Sequence, residues 1–337
     1  MYITPTLNDS EPTSKPRAIA VLTSGGDCPG MNPAIRGVVR AALHKGIKVF
    51  GVQRGYSGLI IGDMQEMDSS SVSNIVQRGG TFLKSDRCPA FKDPAVRYQA
   101  AEVLKEKGID AVVVIGGDGS LTGAHLLTSE NDIRVIGLPG TIDNDIYGTD
   151  LTIGFDTAVN TAVEAIDRIR DTALSHESLF LVEVMGRNSG FIATHVGIAC
   201  GAEMIIIPEY ELQIDAICFQ LVNNRLQGKS SSGIIVVAEG PKPGVTTNIA
   251  KQLNQQELDP KVCILGHIQR GGSPSGHDRV LASCLGTSAV DYLCAGYNDV
   301  MIGVQNGKIK ETPLHQIIEN NKQLDNQLFE RALMLHK

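Results

Sequence analysis

Along most of this chain, short apolar runs alternate with longer stretches in which apolar residues recur every three or four positions. The runs at 18–23, 48–52, 111–115, 134–138, 179–184, 204–207, 233–238, 262–265 and 300–305 are bounded by glycine or polar clusters, so each predicts a buried strand. Helical spacing predicts helices near 32–44, 72–77, 94–107, 190–201, 214–226 and 278–295, a polar helix after Thr247 and a charged helical tail. A long helix is expected from Asp156, with Val159, Val163, Ile166 and Ile169 on its inner face and Glu164, Asp167, Arg168 and Arg170 on a solvated one. Asn32 and Pro33 suit the cap and first position of the first helix, and Asp156 suits the cap of the long one. Regular alternation of strand and helix predicts mostly parallel sheets covered by helices on both faces. With 337 residues, more than one core is expected, and two similar halves would satisfy the pattern. The fold class expected is α/β: two doubly wound, mostly parallel domains.

Composition narrows the function. A hydrophobic content of 42% with 20% charged residues describes a soluble globular protein, and no apolar run approaches the ~20 residues of a membrane helix. The net charge of −7 argues against a nucleic-acid surface. It also means that any anion site must work through local cations, backbone N–H groups and metal. Seven cysteines lack any C-x-x-C spacing, which suits reduced thiols and a cytoplasmic setting. Residues 1–16, with five Ser/Thr and three Pro, read as a mobile tail.

The chemistry is carried by loops that leave strand ends. Ser24-Gly-Gly-Asp-Cys-Pro-Gly30 runs into a helix N-terminus, an arrangement suited to anions. Val114-Ile-Gly-Gly-Asp-Gly-Ser120 adds close-approach glycines and Asp118, a hard oxygen ligand for Mg²⁺. Leu138-Pro-Gly-Thr-Ile-Asp-Asn-Asp145 adds Asp143 and Asp145 beside the Thr141 hydroxyl. A phosphate cradle, a metal ligand and a carboxylate that can accept a hydroxyl proton are the equipment of phosphoryl transfer. No Walker A loop occurs, and Gly117-x-Gly119-x-x-x-Gly123 misses the dinucleotide spacing by one residue. Taken singly, Asp143 or Asp145 would be a turn residue, His267 a core imidazole and Arg270 a surface cation. Lys84, Lys92 and His125 stay with the surface reading.

Together these motifs resemble those of the bacterial-type 6-phosphofructokinases. Thr23-Ser-Gly-Gly-Asp-Cys-Pro-Gly-Met-Asn32, the loop 79–87, Ile115-Gly-Gly-Asp-Gly-Ser120, Pro139-Gly-Thr-Ile-Asp-Asn-Asp145, Met185-Gly-Arg187 and Leu265-Gly-His-Ile-Gln-Arg-Gly-Gly272 occur in that family's order and spacing, over about residues 17–306. The resemblance implies transfer of the ATP γ-phosphoryl group to the 1-hydroxyl of fructose 6-phosphate. It implies an ATP-binding domain of residues 17–153 and 268–318 and a sugar-phosphate domain of 154–267 and 319–337, with the active site in the cleft between them. A homotetramer with sites completed by a neighbouring subunit is also implied. By the same likeness ATP meets Gly26, Arg87, Cys88, Gly117, Asp118, Gly119 and Ser120, with Asp118 on Mg²⁺. Asp143 is the general base, Thr141 and Asp145 position the reacting groups, and Arg187 faces the transferring phosphoryl. Thr141, Asp143, Met185, Gly186, Arg187, Glu239, Lys261, His267 and Arg270 match substrate-binding positions.

Gly119 and Gly140 match the ATP-using branch of the family, whereas the pyrophosphate-using branch carries a larger Asp and Lys there. A pyrophosphate-dependent enzyme and a non-catalytic sugar-phosphate sensor are the alternatives weighed, and retention of Asp118, Asp143 and Arg187 argues against the sensor. Two departures stand out. The family's Ser-His-x-Arg reads Ser175-His-Glu-Ser178, and an arginine expected before the Gly-His-Ile-Gln motif is Lys261. The family's effector site is matched by Arg36, Arg40, Arg170 and Glu203, but an arginine near Ser69 is missing and the basic segment before the Glu239 strand reads Gly228-Lys-Ser-Ser-Ser-Gly233. A weak or altered response to effectors is therefore expected.

Overall fold

The protein is described by a computed structural model over residues 15–211, 214–226 and 233–335. Most of the tail expected at 1–16, and the segment 228–232, lie outside the described residues. In chain order the elements are β1 (Ala18–Ser24), α1 (Met31–His44), β2 (Lys48–Val52), α2 (Gly55–Ile61), β3 (Met64–Met67), α3 (Pro94–Glu106), β4 (Ala111–Gly116), α4 (Asp118–Glu130), β5 (Arg134–Pro139) and α5 (Phe155–Ser175). There follow β6 (Leu179–Val184), α6 (Phe191–Cys200), β7 (Met204–Ile206), α7 (Ile214–Leu226), β8 (Gly233–Ala238), α8 (Val245–Asn254), β9 (Lys261–Ile264), α9 (Gly276–Cys294), β10 (Val300–Gln305), β11 (Lys308–Pro313), α10 (Leu314–Glu319) and α11 (Asn326–Leu335). Two compact units divide the chain. One takes it up to Ile142, then Ile146–Thr157 and Arg270–Lys322; the other takes Asp143–Asp145, Ala158–Gln269 and Gln323 onward.

The first unit is built on a seven-stranded sheet in the order β11-β10-β5-β4-β1-β2-β3. Its central strands β1 and β4 are buried at every residue, which accounts for their unbroken apolar runs. Both edge strands, β3 and β11, are antiparallel to their neighbours, and exposed Lys308 and Lys310 blunt the β11 edge. The strands β1, β4 and β5 end level with one another, because Ser24 pairs with Gly116 and Gly116 with Pro139. Three loops therefore leave the sheet side by side at its carboxyl edge, where open α/β sheets bind ligands.

In the second unit four parallel strands run in the order β7-β8-β6-β9. Val184 pairs with Ala238 and Glu183 with Ile264, so Met185, Glu239 and Leu265 follow from one carboxyl edge. Helix α11 packs on α6, and Tyr210 stacks on Phe329 with ring centroids 4.7 Å apart.

Several sequence expectations are corrected. Residues 72–77 form turns rather than a helix, since Asp68 accepts from Ser70 and Ser71 hydroxyls and Asn74 sits at φ 55°. The short α2 and β3, and the hairpin strand β11, were not expected; the Asn306-Gly307 pair that turns the β10–β11 hairpin was the available signal. Asn32 does not cap α1: Gly30, at φ 112°, holds that place, and Asn32 lies one residue inside the helix. Asp156 lies one residue inside α5 rather than before it. Buried Asp278 reaches across from α9 to accept from Gly154 N (2.9 Å) and Thr157 N (2.8 Å), while Asp156 accepts from the Ser275 hydroxyl. Arg170 leaves the solvated face to donate to Cys200 O at 2.6 Å and to pair with Glu203. His125 is tied to Asp299 at 2.9 Å rather than merely exposed.

Candidate active site

In the first unit the loops after β1, β4 and β5 are in contact. A Cβ built on Gly25 would lie 3.2 Å from Ser120 Oγ, and one on Gly117 would lie 3.8 Å from Thr141 Cβ. Helix α4 begins at Asp118 with Gly117, which has no side chain, as its N-cap, so the positive end of its dipole lies at this turn. Asp118 and Gly119 are exposed and Ser120 is buried. Beneath this turn the buried Tyr56 donates to Ser120 O at 2.6 Å and stacks on Phe91 at 3.9 Å. Burial without a charged partner raises the Tyr56 pKa, so it remains a neutral donor. The Thr141 carbonyl accepts from Thr152 Oγ1 at 2.7 Å, which fixes the start of the Asp143 loop.

Arg87 and Cys88 are brought to the same place by a stitched loop. Thr23 Oγ1 donates to Lys84 O (2.9 Å), Gly25 N donates to Asp86 O (3.1 Å) and Ser85 Oγ donates to Gly25 O (2.5 Å). Arg87 is exposed, and Cys88 packs half-buried on the apolar core. Arg270 also belongs here, since its Nη1 donates to Asp27 O at 3.2 Å across Gly26. Thus all the nucleotide candidates, together with Thr141 and Arg270, fall in the first unit.

The second unit holds Asp143, Asp145, Met185, Gly186, Arg187, Glu239, Lys261 and His267. Asp143 is 2% exposed and Asp145 half-buried, on either side of Asn144 at φ 54°. Arg187 is a second non-glycine residue in the left-handed region, at φ 52°, and follows Gly186 at φ 141°. Such backbone is held only where its surroundings over-determine it. Here Glu239 Oε1 accepts from Arg187 N (2.8 Å), Gln269 Oε1 accepts from Met185 N (2.8 Å), and Ser189 N donates to Gly186 O (3.0 Å). The Arg187 side chain and His267 are exposed. Lys261 stands apart from them. It begins β9, pairs in register with Phe180 near the amino end of β6, and forms an ion pair with Asp259 at 2.9 Å. Within its own chain it is a strand's length, roughly 13 Å, from the loop that carries His267.

Among the described residues no three His, Cys, Asp or Glu side chains cluster as a metal site. One exposed carboxylate, Asp118, still fits Mg²⁺, an ion bound through one or two carboxylates together with phosphate oxygens and water. Donor choice can be read sterically. A side chain at Gly119 would meet nothing within 4 Å, whereas a Cβ on Gly140 would lie 3.0 Å from Ile115 Cγ2 and 3.2 Å from Gly116 N. Space is thus open over α4, and Gly140 is confined by packing. Sequence reasoning missed Tyr56, Asn32, Gln269 and Asp278 as supports of these loops. Gln269 stood inside a named motif, but nothing local marks Tyr56.

The fold and these loops place the chain among the phosphofructokinases. A family model described as "Phosphofructokinase" matches residues 18–293, and the chain belongs to that family. It is 50% identical over 308 residues to "ATP-dependent 6-phosphofructokinase 2" of Bacteroides thetaiotaomicron, covering 91% of this chain and 94% of that one. It is 50% identical over 322 residues to "ATP-dependent 6-phosphofructokinase" of Clostridium botulinum, covering 95% of this chain and all of the relative. The solved phosphofructokinase of Saccharomyces cerevisiae superposes with a TM-score of 0.83 at 37% identity; it matches 95% of this chain, which spans 48% of the yeast chain. No helix among the described residues is long and apolar enough to cross a membrane.

Proposed function

We propose that this enzyme is an ATP-dependent 6-phosphofructokinase, transferring the γ-phosphoryl group of ATP to the 1-hydroxyl of fructose 6-phosphate. The observation that carries this reading is the level ending of β1, β4 and β5, which sets the glycine loop, the Asp118 turn and Thr141 side by side. Their glycine-rich backbone, with the N-terminus of α4 among it, is chemistry for a polyphosphate. The first unit would then bind nucleotide through Gly26, Arg87, Cys88 and residues 117–120, and the second would bind the sugar phosphate.

In the proposed reaction the substrate's 1-hydroxyl oxygen forms a bond to the γ-phosphorus while the bond to the ADP oxygen breaks. Asp143 takes the hydroxyl proton. Thr141 and Asp145 orient the reacting groups, and Arg187 meets the charge spreading over the transferred phosphoryl. The rigid backbone at Asn144 and Arg187 suits a mechanism that depends on positioning more than on covalent chemistry. Asp118 would hold Mg²⁺, which when bound neutralises charge on the phosphate oxygens. Met185, Gly186, Glu239, His267 and Arg270 would contact the sugar phosphate.

The open space at Gly119 supports ATP over pyrophosphate as donor, because it leaves room for more than two phosphates. Assembly is proposed to be a homotetramer in which a neighbour contributes Lys261. Exposed Val262, Ile264 and Ile268 on and beside the edge strand β9 support burial against a second copy. An aldolase-coupled assay with ATP and then with pyrophosphate tests the activity. Product with ATP alone is expected, and product with pyrophosphate alone, or with neither, would overturn the reading.

A further inference from the structure

The side chain of Asn32 is spent on a distant loop. It is 1% exposed, one residue inside α1, where an asparagine is a poor helix former unless its amide has other work. Its Nδ2 donates to Arg78 O at 3.0 Å and to Gly79 O at 3.3 Å, and its Oδ1 accepts from Phe82 N at 2.8 Å. Partners on both sides fix which end of the amide is which. One side chain thus satisfies three backbone groups at the root of the loop that carries Arg87 and Cys88. Further ties lie beyond this root: Thr23 near the end of β1, and Gly25 with Ser85, join the loop to the segment that precedes α1, while Arg54 N donates to Leu83 O (2.8 Å) and Ser57 Oγ to Asp86 Oδ2 (2.9 Å) from the start of α2.

We propose that Asn32 is a positioning residue for the donor nucleotide. It locks residues 78–82 to α1, and so sets Arg87 and Cys88 at a fixed place against the 25–30 and 117–120 loops before nucleotide arrives. The inference rests on the proposed ATP-dependent activity. Its chemistry is specific to the two ends of an amide. Aspartate keeps the acceptor for Phe82 N–H but loses both donations and faces two carbonyls, whereas leucine keeps the volume and loses everything polar.

The test is calorimetric binding of MgADP to wild type, Asn32→Asp and Asn32→Leu, with steady-state KM for ATP and fructose 6-phosphate measured alongside. Graded weakening of MgADP is expected, several-fold for aspartate and about tenfold or more for leucine, the scale set by buried backbone groups left unpaired. The KM for ATP should rise in parallel, with that for fructose 6-phosphate nearly unmoved. Loss of thermal stability with unchanged MgADP affinity, or an equal rise in both KM values, would overturn the inference. Failure of the wild type to bind MgADP would instead count against the proposed activity. Should the leucine variant not fold, hydrogen exchange in nucleotide-free wild type still decides. The Phe82 amide should be strongly protected, and rapid exchange there would mean that the loop is not locked in advance.

Discussion

The guanidinium of Arg270 fills the space that a side chain at Gly26 would need: its Nη1 lies 2.5 Å from where a Cβ on Gly26 would stand. The obstacle is the end of a flexible side chain, so Gly26→Ala should fold normally and push Arg270 aside. The expected result is a KM for fructose 6-phosphate raised about five- to tenfold, the loss of roughly one charge-assisted hydrogen bond, at a melting temperature close to wild type. An unchanged KM for the sugar phosphate would remove Arg270 from that site.

Replacing the proposed base tests the reaction itself. Asp143→Ser should keep nucleotide affinity, because none of the residues proposed to hold ATP is changed. Turnover should fall by about 10²–10⁴ or more. Turnover near wild type would exclude Asp143 as the base.

Donor choice is tested at Gly119, where a side chain meets nothing. Gly119→Asp should fold without strain and raise the KM for ATP by about tenfold or more, through a carboxylate set against the phosphates in the space left for nucleotide. Steady-state kinetics with ATP and pyrophosphate give the readout. ATP kinetics indifferent to the new charge would place the donor elsewhere.

The pair Ser178 and Lys261 lies on one edge of the second sheet, Ser178 just before β6 and Lys261 opposite Phe180. If a neighbouring subunit's sugar phosphate meets this edge, Ser178→Arg with Lys261→Arg should lower the KM for fructose 6-phosphate by about an order of magnitude, by restoring two bidentate donors. No change in KM in the double variant would show that these positions do not face the phosphate.

Stability at low pH should depend on Arg97, whose side chain is 3% exposed and donates two 2.6 Å hydrogen bonds to Glu130. Those bonds hold the Glu130 pKa below its ordinary value of 4.5. A lowered carboxylate pKa contributes stability that is present above the unfolded value and lost as pH falls through the folded one. Melting temperature should therefore drop from about pH 5 downward. Glu130→Gln should flatten that part of the profile and cost about 1–2 kcal/mol at neutral pH, since Glu130 is partly exposed, the amide keeps one acceptor and Arg97 also donates to Phe91 O. A pH profile identical to wild type in the variant would show that the pair is not the source.

The sequence by itself determined nine of the eleven strands, all but the antiparallel edge strands β3 and β11, together with most helices and the loops that leave the strand ends. A run such as 111–115, short, β-branched and followed at once by two glycines, favours a buried strand ending in a turn over a buried helix. Asp118, Thr141 and Asp143 stood out as candidates for a similar reason, because residue type and spacing are local facts, whereas Arg187 entered only through the family resemblance. What only the tertiary structure decided is which distant groups hold those loops in place. Asn32 and Asp156 both had the local chemistry of helix caps, yet the amide of Asn32 finds backbone partners 46 to 50 residues away and the cap of α5 is taken by Asp278, more than 120 residues on. Arg170, expected in solvent, is drawn to the carbonyls at the end of α6. Lys261, carried in the same site as His267, is separated from it by the length of β9. In each case a polar side chain chose among partners that exist only after the sheets have formed, since a buried backbone group left unpaired costs more than a local turn returns.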